Sequence, residues 1–429
     1  MHSFLKQIKK YYLFICMFLL GIVHWYLFMQ MGQPTWKSFD WMGIHQMIFD
    51  SVHESVQQGK IPYHYTGYDV PVIGSSIESG INVSYNVRWF SMGGPNVSPQ
   101  TILFAYFQTP IAMTLNMVFF FSLGFWGILL WIRKLKLSDA ASVFLFISWC
   151  FSGFIVTRMG VGHLGWCNAY LFIPLYFWLL YKFIEGRDLH WKNSLKNALL
   201  FSLFIFFTKL NGNGQNTYQF LLVGLIVMLF YHKQLLWYLL SVSFSFILMS
   251  FYIFPTAMFS SYMGKNRIIF GGYGFKMGLG DTLLFPHEMA SSIIQKGLYH
   301  VGNIFYQLWR ALTVPFTAAN DGSWEISLFI GKFGLLLVVL CCLVLYLTVK
   351  DKINFRNYTF IIPAGIIALL SISVVEERLV SLFETITHLT IPKVDRLPSR
   401  LMIYPFSLVL LLAAMGFDGL FAKISENFR

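Results

Sequence analysis

Asp40 is the first residue whose type and setting could serve chemistry, since it lies beside Trp36, Phe39 and Trp41 just after an apolar run. A carboxylate partly withdrawn from water at a membrane surface has a raised pKa, which suits a general base. The position is equally typical of a helix N-cap, because an amphipathic segment begins at once. Spacing alone favours the cap, and the two roles are compatible.

Asp50 and Glu54 are four residues apart and His53 lies beside Glu54, so a helix would bring these side chains to one face. They could act as an acid/base pair or bind a divalent cation. A solvated polar face explains the pattern equally well, so both acids are second-choice catalytic residues. No metal site and no certain cofactor are predicted, although a divalent cation remains compatible with these acids.

Three cations, Lys393, Arg396 and Arg400, occur in the segment IPKVDRLPSR just before the last apolar run. With both termini in the cytoplasm, these cations are predicted to lie on the outer face, against the usual excess of positive charge on the cytoplasmic side. Cations there could hold a lipid-linked phosphate, and arginine does so with bidentate geometry. The alternative is that they anchor the last helix by reaching toward the headgroups.

A further group could line a cavity on the same face. Arg158 and His163 fall in TRMGVGHLGW, which is predicted to form a short outer turn, and a lone histidine in a turn is more often structural. Asp281, His287 and Glu288 follow the glycine-rich stretch GGYGFKMGLGD, which lacks the spacing of a phosphate-binding P-loop. This stretch is either a mobile loop over a site or an ordinary connector.

Composition restricts the class of protein that positions these residues. Of 429 residues, 56% are hydrophobic and 12% are charged, with a mean hydropathy of +0.61, so a water-exposed surface cannot be covered. The net charge of +12 is spread between apolar runs, which indicates membrane topology and not nucleic-acid binding. The five cysteines lie in apolar segments without metal-ligand spacing.

The apolar runs predict an all-α polytopic membrane protein of about ten spans, in one transmembrane domain covering residues 1–429. The spans are predicted near residues 11–31, 112–132, 139–157, 165–184, 194–208, 216–231, 234–254, 326–348, 357–374 and 401–421. The densest basic clusters then become cytoplasmic together with both termini. Three long segments, 32–111, 255–325 and 375–400, face outward, and the first includes an interfacial amphipathic helix within residues 40–58.

Several blocks of the sequence resemble the GT-C class of membrane glycosyltransferases, particularly the bacterial YfhO-like family. They cover about half of the chain and comprise Phe39-Asp40, GKIPYH at 59–64, SPQTILF at 98–104, residues 123–166 and residues 396–420. The resemblance implies a large first outer loop with a catalytic acid, and Asp40 is the position that matches.

The resemblance further implies an inverting enzyme of the bacterial inner membrane. It would transfer a sugar from a polyprenyl-phosphate donor to a cell-envelope glycan or glycolipid acceptor on the outer face. Asp40 would act as the base, with Arg396 and Arg400 on the donor phosphate. Two alternatives stay open: a transporter or flippase of a lipid-linked saccharide, and a non-catalytic assembly subunit with a GT-C-like scaffold. Few ionisable residues fall in the middle of the predicted spans, which favours surface chemistry over translocation.

Overall fold

The structure is a computed structural model of the chain. It describes residues 2–31, 47–59, 99, 101–160, 164–185, 191–211, 214–260, 305, 308–309, 312, 328, 330–349, 361–371, 381–382, 385 and 401–427. Within these ranges the chain is helical and contains no strand. The fold is therefore all-α, as the apolar runs predict.

Fourteen helices fall in the described ranges. They are α1 His2–Met31, α2 Met47–Gln57, α3 Thr101–Tyr106, α4 Thr109–Leu135, α5 Asp139–Cys150, α6 Gly153–Gly160, α7 Leu164–Leu171, α8 Ile173–Glu185, α9 Trp191–Leu210, α10 Gly214–Leu229, α11 His232–Ser260, α12 Gly331–Val349, α13 Ile361–Leu370 and α14 Ile403–Asn427.

Five stretches of these helices are long and apolar enough to cross a membrane, judged by length and composition. They are Tyr11–Met29, Thr109–Leu135, Asp139–Gly160, His232–Ser250 and Ile403–Phe421. Three shorter apolar helices, Asn216–Leu229, Gly331–Leu347 and Ile361–Leu370, coincide with further predicted runs. These helices fit a multi-pass membrane protein, and the count of about ten spans stays a prediction.

Apolar side chains cover much of the outer surface of the bundle. Phe333 on α12 is 90% exposed and Leu236 on α11 is 74% exposed. On α1, Leu19, Val23 and Leu27 also face outward. Water would oppose such a surface, whereas lipid chains accept it, so these faces suit a bilayer.

Helix α4 runs parallel to the α7–α8 pair along its whole length. Asn116 contacts Asn168 near one end, and Lys134 contacts Glu185 near the other. Between them, α4 presents Gly124 and Gly127 to the backbone of α7 and α8, so closely that a Cβ on either glycine would overlap it. Glycine thus permits the close approach that fixes the register of these helices.

Two of the predicted spans are interrupted. The run at 139–157 consists of α5 and α6, separated at Phe151 and Ser152, and the run at 165–184 consists of α7 and α8, separated at Phe172. Pro174 accounts for the second break, since proline has no N–H to donate to the preceding turn. The Pro174 carbonyl accepts a hydrogen bond of 3.0 Å from Trp131 Nε1 of α4, which holds the break in place.

Antiparallel packing joins α9 to α8 and α7. The Asn197 amide donates to the Lys182 carbonyl at 3.1 Å near one end, and the Phe207 ring lies 6.3 Å from the Phe172 ring near the other. Helix α10 runs parallel to α7–α8, with the Phe220 ring 4.4 Å from the Tyr176 ring. The helices α4, α7, α8, α9 and α10 thus surround one aromatic core.

Helix α14 packs against α12, α13 and α5. Its Gly416 lies against the backbone of Cys341 on α12, and the Phe417 ring stacks on Phe144 of α5 at 5.0 Å. The Asp418 carboxylate accepts a hydrogen bond of 3.0 Å from the Ser138 backbone N–H. Because Ser138 also caps α5, this contact ties the start of α5 to α14.

Candidate functional site

Only three of the predicted site residues, Asp50, Glu54 and Arg158, belong to the described part of the chain. The others lie outside the described residues: Asp40, His163, Asp281, His287, Glu288, Lys393, Arg396 and Arg400. The roles predicted for those eight residues stay predictions.

Asp50 fastens α2 to the start of α4. Its carboxylate accepts a hydrogen bond from the hydroxyl of Thr109, the first residue of α4. The carboxylate thereby lies at a helix N-terminus, where the helix dipole favours negative charge. On the next turn, His53 Nδ1 lies 3.3 Å from the Phe104 carbonyl oxygen, whereas Glu54 is exposed.

Apolar contacts hold α2 in the same position. The Phe49 ring stacks on Phe104 of α3 with centroids 3.8 Å apart, and Val52 is buried. Residues 47–57 therefore form an amphipathic helix within the predicted range 40–58, and its position at a membrane interface stays a prediction. Among the described residues no group of three His, Cys, Asp or Glu side chains could hold a metal ion.

Arg158 differs from its predicted setting. It lies in the last turn of α6, not in a surface turn, and its side chain is completely buried. The guanidinium lies 5.4 Å from the Phe154 ring centroid, and that ring contacts Tyr170 of α7 at 4.4 Å. A wholly buried cation in a membrane bundle is costly, which makes its surroundings a candidate functional site.

Four buried asparagines, Asn116, Asn168, Asn211 and Asn216, lie at the same end of the bundle as Arg158. Each is one helical turn from a phenylalanine of the aromatic core: Phe120, Phe172, Phe207 and Phe220, respectively. Asn211 follows its phenylalanine and the other three precede theirs. Because α9 runs opposite to α4, α7 and α10, all four asparagines lie on the same side of the core. We call this set the asparagine layer.

The phenylalanines beneath the layer are in mutual contact, which aligns the four turns. The Phe120 ring lies 5.4 Å from Phe172 and 5.6 Å from Phe207, and Phe172 lies 6.2 Å from Phe220. One helical turn rises about 5.4 Å, so the amides lie roughly that far above the rings. The polar amides of the layer therefore lie above packed phenylalanine rings, which we call the aromatic floor.

Hydrogen bonds within the layer link three helices. Asn116 Nδ2 donates to Asn168 Oδ1 at 3.1 Å, and Asn216 Nδ2 donates to the Gly165 carbonyl at 3.3 Å. Asn116 Oδ1 and Asn168 Nδ2 are buried without a hydrogen-bond partner. The Asn116–Asn168 pair therefore retains one unused acceptor and one unused donor, each of which costs about 1–3 kcal/mol if it stays unpaired.

The Arg158 side chain reaches back toward this layer. Helices α6 and α7 are antiparallel, with Cys167 Sγ 3.8 Å from the Ile155 carbonyl oxygen, so the last turn of α6 lies opposite the first turn of α7. The Arg158 guanidinium extends back along α6 to the Phe154 ring, which contacts Tyr170 on α7. Arg158 also acts electrostatically on Cys167, the neighbour of Asn168. The result is a cation beside carboxamides, which suits a ligand that is both anionic and rich in hydroxyl groups.

Helix directions place the ends of the long predicted loops near the layer. Helix α1 runs antiparallel to α4, since Phe18 contacts both Phe121 and Phe125 while Gly21 lies against Phe121. Helix α11 follows α10 after a turn at Phe230 and Tyr231 and packs back on it through Tyr238, so it runs opposite to α10 and parallel to α9. Helix α14 begins at this end because its Asp418 lies at the opposite one. Helices α1 and α4, which flank segment 32–111, α11 before segment 255–325 and α14 after segment 375–400 thus end or begin on the layer side.

The opposite end of the bundle is closed by ion pairs. Glu185 Oε1 lies 2.5 Å from Lys134 Nζ and Glu185 Oε2 lies 2.6 Å from Lys182 Nζ. Burial tends to raise the pKa of the Glu185 carboxyl, but the hydrogen bonds from both lysines outweigh it and lower that pKa. Lys182 also lies 4.9 Å from the centroid of the Trp178 ring. Cations and tryptophan together are typical of a membrane–water interface.

Sequence reasoning found Arg158 but missed the asparagine layer. The available signal was an uncharged amide inside each apolar run: LNMVFFF, GWCNAYL and GQNTYQF. Asparagine is uncharged, so the sequence-based candidates, which were ionisable residues, did not include it. An asparagine in a membrane helix nevertheless also needs hydrogen-bond partners.

The described part of the chain is helical with five candidate membrane spans, which fits a multi-pass membrane protein, and it has a buried polar site at one end of the bundle. No family model, no curated protein and no solved structure matches this chain. The GT-C and YfhO-like resemblance stays a sequence-based expectation.

Proposed function

We propose that this chain is a glycosyltransferase of the bacterial inner membrane. It transfers a sugar from a polyprenyl-phosphate donor to a cell-envelope glycan or glycolipid on the outer face. The observation that carries the proposal is the buried Arg158 beside the asparagine layer, at the end of the bundle where the long segments begin. A lipid-linked sugar phosphate is complementary to this site, because its phosphate carries negative charge and its sugar carries hydroxyl groups.

In the proposed reaction the donor's lipid tail stays in the bilayer and its sugar projects toward the outer face. Asp40 takes the proton from an acceptor hydroxyl while that oxygen attacks the anomeric carbon. The bond from the anomeric carbon to the phosphate oxygen breaks, and polyprenyl phosphate leaves with both bonding electrons. Arg396 and Arg400 stabilise the charge on the leaving phosphate. A single displacement inverts the anomeric configuration and needs one carboxylate.

Asp40→Asn is the decisive variant, because asparagine caps a helix about as well as aspartate but cannot accept the proton. Transfer should fall by roughly a hundredfold or more, while donor binding is kept. The assay uses purified protein in lipid vesicles with polyprenyl-phosphate-linked sugars and extracted envelope glycans. Asp139→Asn is the matched control, since Asp139 begins α5 at the opposite end of the bundle.

Cells with and without the gene show whether the activity exists at all. The deletion strain should accumulate the lipid-linked donor and lack a sugar on one envelope glycan, as measured by mass spectrometry of both fractions. Identical fractions, together with no transfer by the wild-type protein in vesicles, would reject the proposal. Normal transfer by a well-folded Asp40→Asn variant would reject only the role of Asp40.

A transporter or flippase of a lipid-linked saccharide is the second candidate, and the two interrupted helix pairs, α5–α6 and α7–α8, favour it. Discontinuous helices often surround transported substrates. The same vesicles separate the two functions. A transporter moves the lipid-linked saccharide between leaflets without changing it, whereas a transferase changes the chemical composition of donor and acceptor.

A further inference from the structure

We propose that the asparagine layer binds sugar hydroxyl groups of the lipid-linked donor, an inference that rests on the proposed function. Asn116 and Asn168 form the contact surface, and Arg158 supplies positive charge at their level. Neither asparagine was a sequence-based candidate. Both side chains are at least 99% buried, since Asn116 is 0% and Asn168 is 1% exposed.

The chemistry of the ligand follows from the unused atoms of the amide pair. Asn116 Oδ1 needs a donor and Asn168 Nδ2 needs an acceptor. If oxygen and nitrogen are exchanged in both amides, the pair still has one unused donor and one unused acceptor. The requirement for a ligand that both donates and accepts is therefore the same in the two assignments. A fully ionised phosphate offers acceptors alone, whereas a hydroxyl group both donates and accepts. The pair therefore matches a hydroxylated group.

Arg158 and the aromatic floor narrow this class further. The guanidinium favours a ligand with negative charge nearby. The phenylalanines one turn below the amides present apolar rings, which suit the C–H faces of a sugar. A sugar attached to a phosphate supplies hydroxyl groups for the amides, negative charge for Arg158 and C–H faces for the rings. An inorganic anion supplies only the negative charge.

Two short helices carry one side of the site and a long helix carries the other. Helices α6 and α7 are each eight residues long, and the interruptions at Phe151–Ser152 and Phe172 separate them from α5 and α8. Arg158 and Asn168 belong to these short helices, whereas Asn116 belongs to the long helix α4. Because both amides are buried, binding of a sugar between them requires α6–α7 to separate from α4 at this point.

The test measures how much the sugar adds to binding of the lipid phosphate. Wild-type protein in nanodiscs is titrated with polyprenyl phosphate and with polyprenyl-phosphate-linked glucose, galactose and mannose. We expect one sugar-bearing lipid to bind more tightly than polyprenyl phosphate. In Asn116→Leu/Asn168→Leu that sugar preference should shrink by about tenfold, while affinity for polyprenyl phosphate is unchanged.

Asn197→Leu is the matched control. Its amide donates to the Lys182 carbonyl at 3.1 Å at the opposite end of the bundle, so it removes an interhelical hydrogen bond without touching the layer. Both affinities should equal those of the wild type. If the double leucine variant does not assemble, Asn116→Ser is used, since it shortens the side chain and keeps a polar atom.

Each outcome decides the inference. An unchanged sugar preference in the layer variant, with or without a lower melting temperature, reduces the amide pair to a structural hydrogen bond and leaves the proposed transferase intact. A wild-type protein with no sugar preference overturns the inference. Transfer activity, measured separately in vesicles, then shows whether the proposed function fails as well.

Discussion

Replacing Gly127 by alanine should weaken the packing that positions the asparagine layer. A Cβ at this residue would overlap the backbone of Pro174 and Leu175 at the α7–α8 break. Backbone atoms cannot rotate away as a flexible side chain does, so α4 and α8 must move apart. That movement also lengthens the 3.0 Å hydrogen bond from Trp131 Nε1 to the Pro174 carbonyl.

The magnitude follows from three opposing contributions. Overpacking a close contact costs about 1–3 kcal/mol. Loss of the Trp131 hydrogen bond adds about 0.5–1.5 kcal/mol. Alanine in place of glycine within a helix returns about 1 kcal/mol. The variant should therefore lose about 0.5–3.5 kcal/mol in free energy of unfolding.

Gly419→Ala provides the control, because a Cβ at Gly419 of α14 meets no atom within 4 Å. This variant keeps the propensity gain of about 1 kcal/mol without the overlap. Both variants are unfolded with sodium dodecyl sulfate in mixed micelles, and the transition is followed by tryptophan fluorescence. If Gly127→Ala is as stable as Gly419→Ala, then α4 and α8 do not approach each other as described.

Two further predictions concern charge. Replacing Arg396 and Arg400 together by glutamine should weaken polyprenyl-phosphate binding by about ten- to a hundredfold without unfolding the protein, since buried charge-assisted contacts are worth roughly 1.5–3 kcal/mol. Unchanged affinity would make these arginines helix anchors. Glu185 has a folded pKa below its ordinary value of 4.5, so its contribution is present above that pH and is lost as pH falls through the folded pKa. Because this ion-pair cluster is partly exposed, each lysine contact adds only about 0.2–1 kcal/mol to the free energy of unfolding. Glu185→Gln should therefore be less stable than the wild type at pH 7. Its stability should also decline less than that of the wild type on acidification. Equal acid sensitivity of both proteins in a pH series of unfolding curves would contradict this account.

Sequence patterns predicted the long apolar helices because their signal is local. The run at 112–132 falls within α4, and the run at 401–421 lies in α14 from Ile403 onward. The amphipathic pattern of residues 40–58 likewise predicted α2 at Met47–Gln57. In each case neighbouring residues alone determine the hydropathy or its period. These helices can therefore be predicted from the sequence without knowledge of tertiary contacts.

The helix interruptions could not be predicted in the same way. Phe151 and Phe172 are as apolar as their neighbours, so the hydropathy signal continues across both breaks. Pro174 marks the second break, but proline also occurs inside continuous membrane helices when neighbours satisfy the freed backbone groups. Here the neighbour is Trp131, which becomes a partner only when α4 and α8 align.

The asparagine layer likewise depends on tertiary alignment. Asn116 and Asn168 are 52 residues apart in sequence, and each looks like an isolated polar residue in an apolar run. Their contact requires the glycine-mediated register of α4 against α7–α8. Arg158 was recognisable as a cation, but its burial depends on how α6 folds back on α7. Local patterns therefore identified the charge and missed its surroundings.

Two tyrosine hydroxyls deeper in the bundle donate to backbone carbonyls, which distinguishes them from the unused amide atoms of the layer. The hydroxyl of Tyr176 donates to the Phe220 carbonyl at 2.6 Å, and that of Tyr238 donates to the Leu221 carbonyl at 2.5 Å. A pathway across the membrane needs polar groups that can exchange partners along its length. Below the layer, the core instead holds packed aromatic rings whose hydroxyls stabilise helix contacts. The unused amide atoms of Asn116 and Asn168 are buried above those rings, at one end of the bundle. A polar site at one end, with packed rings below it, favours transfer at a surface over passage through the bundle.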